Sequence, residues 1–305
     1  MKSTKAKPFL KWAGGKTQLI AEIERNLPPL VLSDNFTYVE PFVGSGAVLF
    51  WMLKNFPGMK KAVINDINSD LINAYKTICS TPKELISILK DFQNEYHELQ
   101  NNEEKKKEYY YQKRDLYNDR STDRIMQAAL FIFLNRTCFN GLYRVNRKNA
   151  FTVPVGSYKI PTICDEKNIL AVSNTLQNVE ILNCDFEQTL LYANENSFFY
   201  FDPPYKPLNG TSSFNSYAEN EFDDKEQIRL KDFCVKLHAQ GSKWMLSNSD
   251  NHENQFFDKI YFEFFIKRVH ARRIINSKPE KRGKLNELLI ANYSYEQTLT
   301  ATLFG

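Results

Sequence analysis

The stretch Ser197-Phe198-Phe199-Tyr200-Phe201-Asp202-Pro203-Pro204-Tyr205 constrains this chain more than any other. Phe198 to Phe201 is an unbroken aromatic run, which fits a strand covered on both faces rather than one alternating between core and water. Two prolines then forbid the strand to continue, because each fixes φ and lacks an amide hydrogen. Asp202 is therefore predicted to sit where a strand stops, and in open α/β sheets that is the crevice where ligands bind. With no amide donor from Pro203 or Pro204, the Asp202 carboxylate and the local carbonyls form a stiff group rich in acceptors. Such a group suits a ligand that donates two hydrogens, as an exocyclic amine does. Tyr205 adds a flat face of the kind on which a planar nucleobase stacks. Taken alone, Asp-Pro-Pro-Tyr is equally a plain turn, so its partners elsewhere in the chain decide the matter.

At 305 residues the chain can bury a large core, as one large domain or two smaller ones, and 42% apolar with 25% charged residues is ordinary for a globular protein. Even an apolar run such as Ala128 to Leu134 is too short to span a bilayer. The basic start is followed by no region of signal-peptide length, so a cytoplasmic protein is expected. Five scattered cysteines without a C-x-x-C spacing suggest neither a disulfide framework nor a zinc site, and the four histidines form no metal-like pair. The net charge of +4 says less than its distribution. Arg136 to Lys159 holds five basic residues and no acid, and Lys267 to Lys284 holds eight against the single Glu280. Either run fits a polyanion as well as a solvated face.

Gly15-Lys16-Thr17 imitates the tail of a phosphate-binding loop, but the spacing G-x-x-x-x-G-K-[ST] requires glycine where Leu10 stands. What remains is a glycine pair, Gly14 and Gly15, allowing close backbone approach between Trp12 as an aromatic face and Lys16 as a cation. Phe36 to Phe50 reads as strand, glycine-rich turn and helix, the opening unit of a nucleotide-binding sheet. A second strand, Lys61 to Asp66, ends in an acid placed to accept hydrogen bonds from ribose hydroxyls. The first turn carries Glu40 and only two glycines, so it fits a cofactor with a cationic end better than a pyrophosphate.

From Ser69 to Asn118 the pattern is helical. Thr81-Pro82-Lys83-Glu84 reads as a capping box starting a helix through about Gln100, and Asn101 to Lys107 as a solvated turn or helix end. Tyr109 to Tyr117 and the apolar Ile125 to Asn135 are further helices, together a helical insertion in the α/β domain. Asn140-Gly141 between short β-like runs predicts the turn of a basic hairpin, with Arg144 reading base edges and Phe139 and Asn140 pushing into a base stack. The chain returns to sheet at Val179 to Phe186. A polar loop from Lys206 to Tyr217 offers Phe214 and Tyr217 as a lid over substrate. Helix 223–239, strand Lys243 to Ser247 and strand-like Ile260 to Val269 and Glu287 to Tyr293 complete the reading.

Phe9 to Lys16, Glu40-Pro41-Phe42-Val43-Gly44-Ser45-Gly46, Phe139 to Asn146 and Asp202 to Tyr205 follow one another over nearly the whole chain, joined by Asn286-Glu287-Leu288-Leu289-Ile290. Together they closely resemble the Dam-like DNA adenine-N6 methyltransferases of the α group. The resemblance implies an α/β fold, a Rossmann-like S-adenosylmethionine-dependent methyltransferase sheet over 1–68 and 160–305. It implies a mainly helical target-recognition insertion over 69–159. Trp12, Lys16, Glu40, Phe42, Gly44, Ser45, Gly46, Asp66 and Asp202 look like cofactor-pocket residues, with Asp185 and Phe186 holding the cofactor's adenine. Lys11, Phe139, Asn140, Leu142, Arg144 and Pro154 look like DNA contacts, and Asp202, Pro203, Pro204 and Tyr205 like the catalytic group. The expected reaction passes a methyl group from S-adenosylmethionine to N6 of an adenine flipped out of double-stranded DNA, leaving S-adenosylhomocysteine, with no metal.

Ser157 stands where such relatives often carry arginine, so the target GATC is an expectation that departs from the pattern at one contact. No coiled-coil pattern suggests an obligate dimer, so a monomer is expected, while the sequence leaves open whether a cognate restriction endonuclease acts separately. Two alternatives remain open on the residues: an RNA or other amine methyltransferase with the same pocket, and a DNA-binding protein that holds cofactor without reacting.

Overall fold

The computed structural model describes residues 5–12, 16–205, 222–250, 255–272 and 284–295. In chain order these form α1 (Ile20–Arg25), β1 (Thr37–Glu40), α2 (Ala47–Asn55), β2 (Lys61–Asn65), α3 (Ser69–Ser80), α4 (Pro82–Glu98), α5 (Glu103–Asp119) and α6 (Arg124–Thr137). There follow α7 (Glu166–Leu176), β3 (Val179–Leu182), β4 (Ser197–Phe201), α8 (Asp224–Ala239), β5 (Lys243–Ser249), α9 (Phe256–Ile260), β6 (Phe265–Arg272) and β7 (Lys284–Ala291).

The aromatic run does form β4, and all five of its residues are buried. Successive side chains of a strand point to opposite faces. Phe198 and Tyr200 therefore join the core on one side of the sheet, and Phe199 and Phe201 the core on the other. The seven strands lie in the order β3-β2-β1-β4-β5-β7-β6. The β1–β2, β1–β4, β2–β3 and β4–β5 pairs are parallel, while β7 runs antiparallel between β5 and β6. This is a Rossmann-like sheet, as the resemblance implies. Its strand order reverses between β1 and β4, so the ends of these two strands define the crevice.

α6 is apolar almost all round, as a helix buried among others must be, and packs against α3, α4 and α5. The core cluster on that side runs without a break from Tyr38 and Phe198 of the sheet to Tyr96, Tyr110 and Phe133 of α4, α5 and α6.

Several local expectations are corrected. Thr81 caps α4 without a side-chain hydrogen bond, its hydroxyl donating instead to the Thr77 carbonyl, so no capping box forms. The charged 101–107 run is not merely solvated: Asn102 caps α5 by accepting from the Lys105 amide, and Lys106 is buried with Nζ donating to the Tyr158 and Lys159 carbonyls. Strand β3 stops at Leu182, leaving Asp185 to cap a 3-10 turn. The hairpin turns at Asn146–Asn149 rather than at Asn140-Gly141, because the Asn146 side chain accepts from the Lys148 and Ala150 amides. Within the span read as strand-like from Ile260 to Val269, β6 begins only at Phe265.

The Gly14-Gly15 pair, the 206–217 lid with Phe214 and Tyr217, and 273–283 of the second basic run lie outside the described residues. Of the rest of that run, Lys267 Nζ donates to Asn26 Oδ1, and Arg268 pairs with Asp250 and Asp258.

Candidate active site

The site is built at the ends of three neighbouring parallel strands. β1 ends in Glu40, β2 is followed by Asp66 and β4 by Asp202, so the sheet brings together three acids that lie far apart in the chain. Glu40 is 2% exposed and accepts from the Tyr38 hydroxyl at 2.7 Å. Burial drives its carboxyl well above the usual range, and the neighbouring Asp202 and Asp66 push it further. Asp66 accepts from the Gly44 amide at 3.1 Å and the Asn68 amide at 3.0 Å, yet burial still pushes its carboxyl up to about 6. Burial raises Asp202 too, opposed by an ammonium that faces it.

That ammonium belongs to Lys16. Its Nζ lies 2.7 Å from Asp202 Oδ1 and 4.3 Å from the centre of the Tyr205 ring, and the residue is only 4% exposed. Asp202 is thus not the bare acceptor group that the two prolines suggest. Its Oδ1 also accepts from the Ser247 hydroxyl at 3.3 Å, and the Ser247 oxygen lies 3.0 Å from that of Tyr200. The Pro204 carbonyl accepts from Gln227 Nε2, so β5 and α8 hold the turn from behind. The Tyr205 hydroxyl donates to Glu287 Oε2 at 2.6 Å.

The turn after β1 wraps this cluster. Gly44 and Gly46 adopt φ of +48° and +75°, values that a side chain strains to reach. The Tyr75 hydroxyl donates to the Gly44 carbonyl, and a Cβ on Gly46 would stand 2.5 Å from that hydroxyl oxygen. Ser45 between them is buried. Asn65, which the sequence did not single out, staples the turn to the loop after β3. Its amide donates to the Pro41 and Cys184 carbonyls, and its oxygen accepts from the Cys184 amide.

Trp12 stacks on Tyr143 at 5.7 Å, close against Gly44. Phe42 and Phe186 pack together at 5.4 Å, and the Arg229 guanidinium lies 4.3 Å from the Phe186 ring centre. Burial lifts the Asp185 carboxyl, but the two-pronged Arg229 pair at 2.7 and 3.0 Å and the Glu187 amide outweigh it and hold it below the usual range.

The candidate DNA contacts gather beside this pocket. Asn135 at the end of α6 accepts from the Lys11 amide at 2.8 Å and donates to the Lys11 and Gly141 carbonyls. A Cβ on Gly141 would collide with the Lys11 side chain, whose Nζ lies 3.8 Å from the Tyr158 ring centre. Phe139 is half exposed and its amide donates to the Pro154 carbonyl, while Asn140 takes a left-handed φ of +55°. Leu142 is half-buried, and Arg144 and Pro154 are exposed. Among the described residues no group of three His, Cys, Asp or Glu side chains is placed to hold a metal ion, and no helix is long and apolar enough to cross a membrane.

The family model described as D12 class N6 adenine-specific DNA methyltransferase matches residues 12–275. The chain is 51% identical over 289 residues to the Type II methyltransferase M.MjaIII of Methanocaldococcus jannaschii, covering 94% of this chain and 99% of that protein. It is 38% identical to the Type II methyltransferase M1.LlaDCHI of Lactococcus lactis subsp. cremoris, covering 94% of this chain and 95% of that one. It is 36% identical to a DNA adenine methylase of Haemophilus influenzae, covering 93% of both chains.

Proposed function

The chain belongs to the D12 class of N6 adenine-specific DNA methyltransferases, and from that premise we propose how its pocket carries the reaction. It methylates adenine in DNA; the residue roles, target site and setting below are the proposal.

S-adenosylmethionine, when bound, supplies an electrophilic methyl on positive sulfur. The donor set fits such a guest: Glu40 is buried and Asp66 and Asp202 are half-buried, desolvation raises all three carboxyls, and Asp202 and Asp66 raise Glu40 further, with Lys16 as the cation facing Asp202. A cationic ligand relieves that repulsion, which a pyrophosphate would aggravate. Trp12, Phe42, the Gly44-Ser45-Gly46 turn and Lys16 complete the proposed pocket. Asp66 accepts from ribose hydroxyls, and Asp185 and Phe186 take the adenine end.

The chemical obstacle is that the lone pair of adenine N6 is delocalised into the ring. Asp202 and the Pro203 carbonyl accept its two hydrogens, which favours a pyramidal nitrogen with its lone pair exposed. Alignment and electrostatics then lower the barrier without a covalent enzyme intermediate. As N6 gains its methyl, Asp202 takes the released proton; its raised pKa makes it a better base than an ordinary carboxylate. Tyr205 stacks the extruded base, whose unstacking costs on the order of a few kcal/mol. Because Lys16 stands between Asp202 and the Tyr205 ring, the base either displaces the ammonium or takes the opposite ring face.

Lys11, Phe139, Asn140, Leu142, Arg144 and Pro154 are assigned to duplex contacts, within a target-recognition insertion over 69–159 of a methyltransferase domain formed by 1–68 and 160–305. Relatives named Type II methyltransferases support a restriction-modification setting, with a cognate endonuclease acting separately. GATC is the proposed target, and a metal-free cytoplasmic monomer the proposed form.

The single observation that carries this reading is Asp202 at the end of β4, beside Glu40 at the end of β1, with the Tyr205 ring next to it. Incubation with labelled cofactor and adenine-containing duplex DNA should give N6-methyladenine, mapped by sequence. Asp202→Ala should abolish transfer while duplex binding persists; retained turnover in that variant would refute the assignment.

A further inference from the structure

We propose that Glu287 is a positioning residue for the target base, acting through the Tyr205 hydroxyl. The inference rests on the reading of Tyr205 as the surface against which the extruded base lies.

Glu287 reaches the site through sheet topology. β7 runs antiparallel to β5, so the first half of β7 lies along the carboxyl end of β5, with Glu287 opposite Ser249. That edge faces the crevice at the end of β4. The Tyr205 phenol donates to Glu287 Oε2 at 2.6 Å, the short separation of a hydrogen bond to a charged acceptor.

The geometry around Tyr205 gives this bond a directing role. The residue follows two prolines, whose fixed φ angles set the path of the backbone but leave the ring free to rotate about its own side-chain torsions. At the backbone end, the Pro204 carbonyl is held by Gln227 Nε2 at 3.1 Å, and Gln227 Oε1 in turn accepts from Asn248 at 3.4 Å. At the far end, the hydroxyl is held by Glu287. Both anchors lie on the ring's long axis and so fix that axis, and because a phenol O–H prefers to lie in the ring plane, an acceptor on one side also biases the plane. Lys16 Nζ, which bonds the Asp202 carboxylate, lies 4.3 Å from the centre of that ring, so plane and carboxylate belong to one constellation. A purine stacked on the ring inherits its tilt, and the tilt decides whether the amino group meets Asp202. A small angular error there is amplified at N6, the atom that must be aligned.

A charge effect is the rival explanation, because Glu287 also lies near enough to push Asp202 and Tyr205 upward. The two accounts separate on chemistry: positioning needs an acceptor oxygen, which glutamine keeps, whereas a field effect needs the charge, which glutamine lacks.

The test compares Glu287→Ala, Glu287→Gln, Tyr205→Phe and the Glu287→Ala/Tyr205→Phe double variant. Single-turnover methylation of a target duplex at saturating cofactor is measured beside duplex Kd and thermal melting. Glu287→Ala and Tyr205→Phe should each slow the step about 10- to 100-fold with Kd within about twofold of wild type. The double variant should be no slower than Tyr205→Phe alone, and Glu287→Gln should recover most of the rate. An unaffected rate in Glu287→Ala, a second full loss when it is added to Tyr205→Phe, or a Glu287→Gln as slow as Glu287→Ala would overturn the proposal. If Glu287→Ala does not fold, Glu287→Gln and Tyr205→Phe carry the comparison: Glu287→Gln near wild-type rate with Tyr205→Phe slow supports it, and any other pairing overturns it. Wild-type formation of N6-methyladenine and its loss in Asp202→Ala test the underlying reading separately.

Discussion

Lys16 Nζ lies 2.7 Å from Asp202 Oδ1, joining the first motif of the chain to the turn that ends β4. The ammonium lowers the Asp202 pKa against a burial effect that raises it. The same ammonium lies 4.3 Å from the centre of the Tyr205 ring.

Removing that cation should move the pH profile. In Lys16→Met, burial at Asp202 is opposed by the Ser247 hydroxyl without the ammonium, so its pKa rises further and a larger share of the enzyme carries the protonated, inactive acid. The acid limb of single-turnover methylation at saturating cofactor should therefore shift to higher pH. An unchanged limb would show that Asp202 is not the titrating group.

Cofactor affinity should weaken in acid, with an inflection near the raised Asp66 pKa of about 6. Ribose hydroxyls donate to the ionised carboxylate, so binding is strong above that pH and lost below it. Calorimetric titration of wild type between pH 5 and 8 should show the inflection, and Asp66→Asn should bind weakly and flatly across the range. The same raised pKa means that ionisation of Asp66 costs folding stability as pH climbs through about 6, and Asp66→Asn should remove that part of the dependence.

Gly46→Ala should destabilise the protein by about 1–3 kcal/mol, since the new Cβ meets the Tyr75 hydroxyl and φ stays at +75°. Thermal melting of Gly46→Ala in wild-type and Tyr75→Phe backgrounds separates the two causes. The collision should ease in the second background and the backbone strain should persist.

Arg144→Ala should weaken specific duplex binding by about 1–3 kcal/mol and relax discrimination at one base pair. Competition between target duplexes altered one position at a time is the measurement. A uniform loss across all sequences would instead make Arg144 a phosphate contact.

Much of this protein was readable before any coordinates. A strand buried on both faces must be apolar throughout, and Phe198–Phe201 says so; prolines stop strands, and so place Asp202. The Asn140-Gly141 turn was misplaced for a physical reason: Asn146 competes for the same role with its own side-chain acceptor, and the Gly141 site serves instead to let Lys11 pass. Asn65 and Asn135 were given no role, although a buried amide near the end of a largely apolar element is a signal that it bonds backbone across a gap. Glu287 entered only as part of the Asn286 to Ile290 segment, with no role assigned to it.

By itself the sequence determined most of the elements, the placing of Asp66 and Asp202 at strand ends, and the family resemblance, because periodicity, proline and glycine act through the local backbone. Only the tertiary structure decided which of those groups meet: Lys16 with Asp202, Tyr205 with Glu287, Asp185 with Arg229. Strand order and the direction of β7 set those meetings, and they depend on how distant faces bury one another rather than on any local pattern.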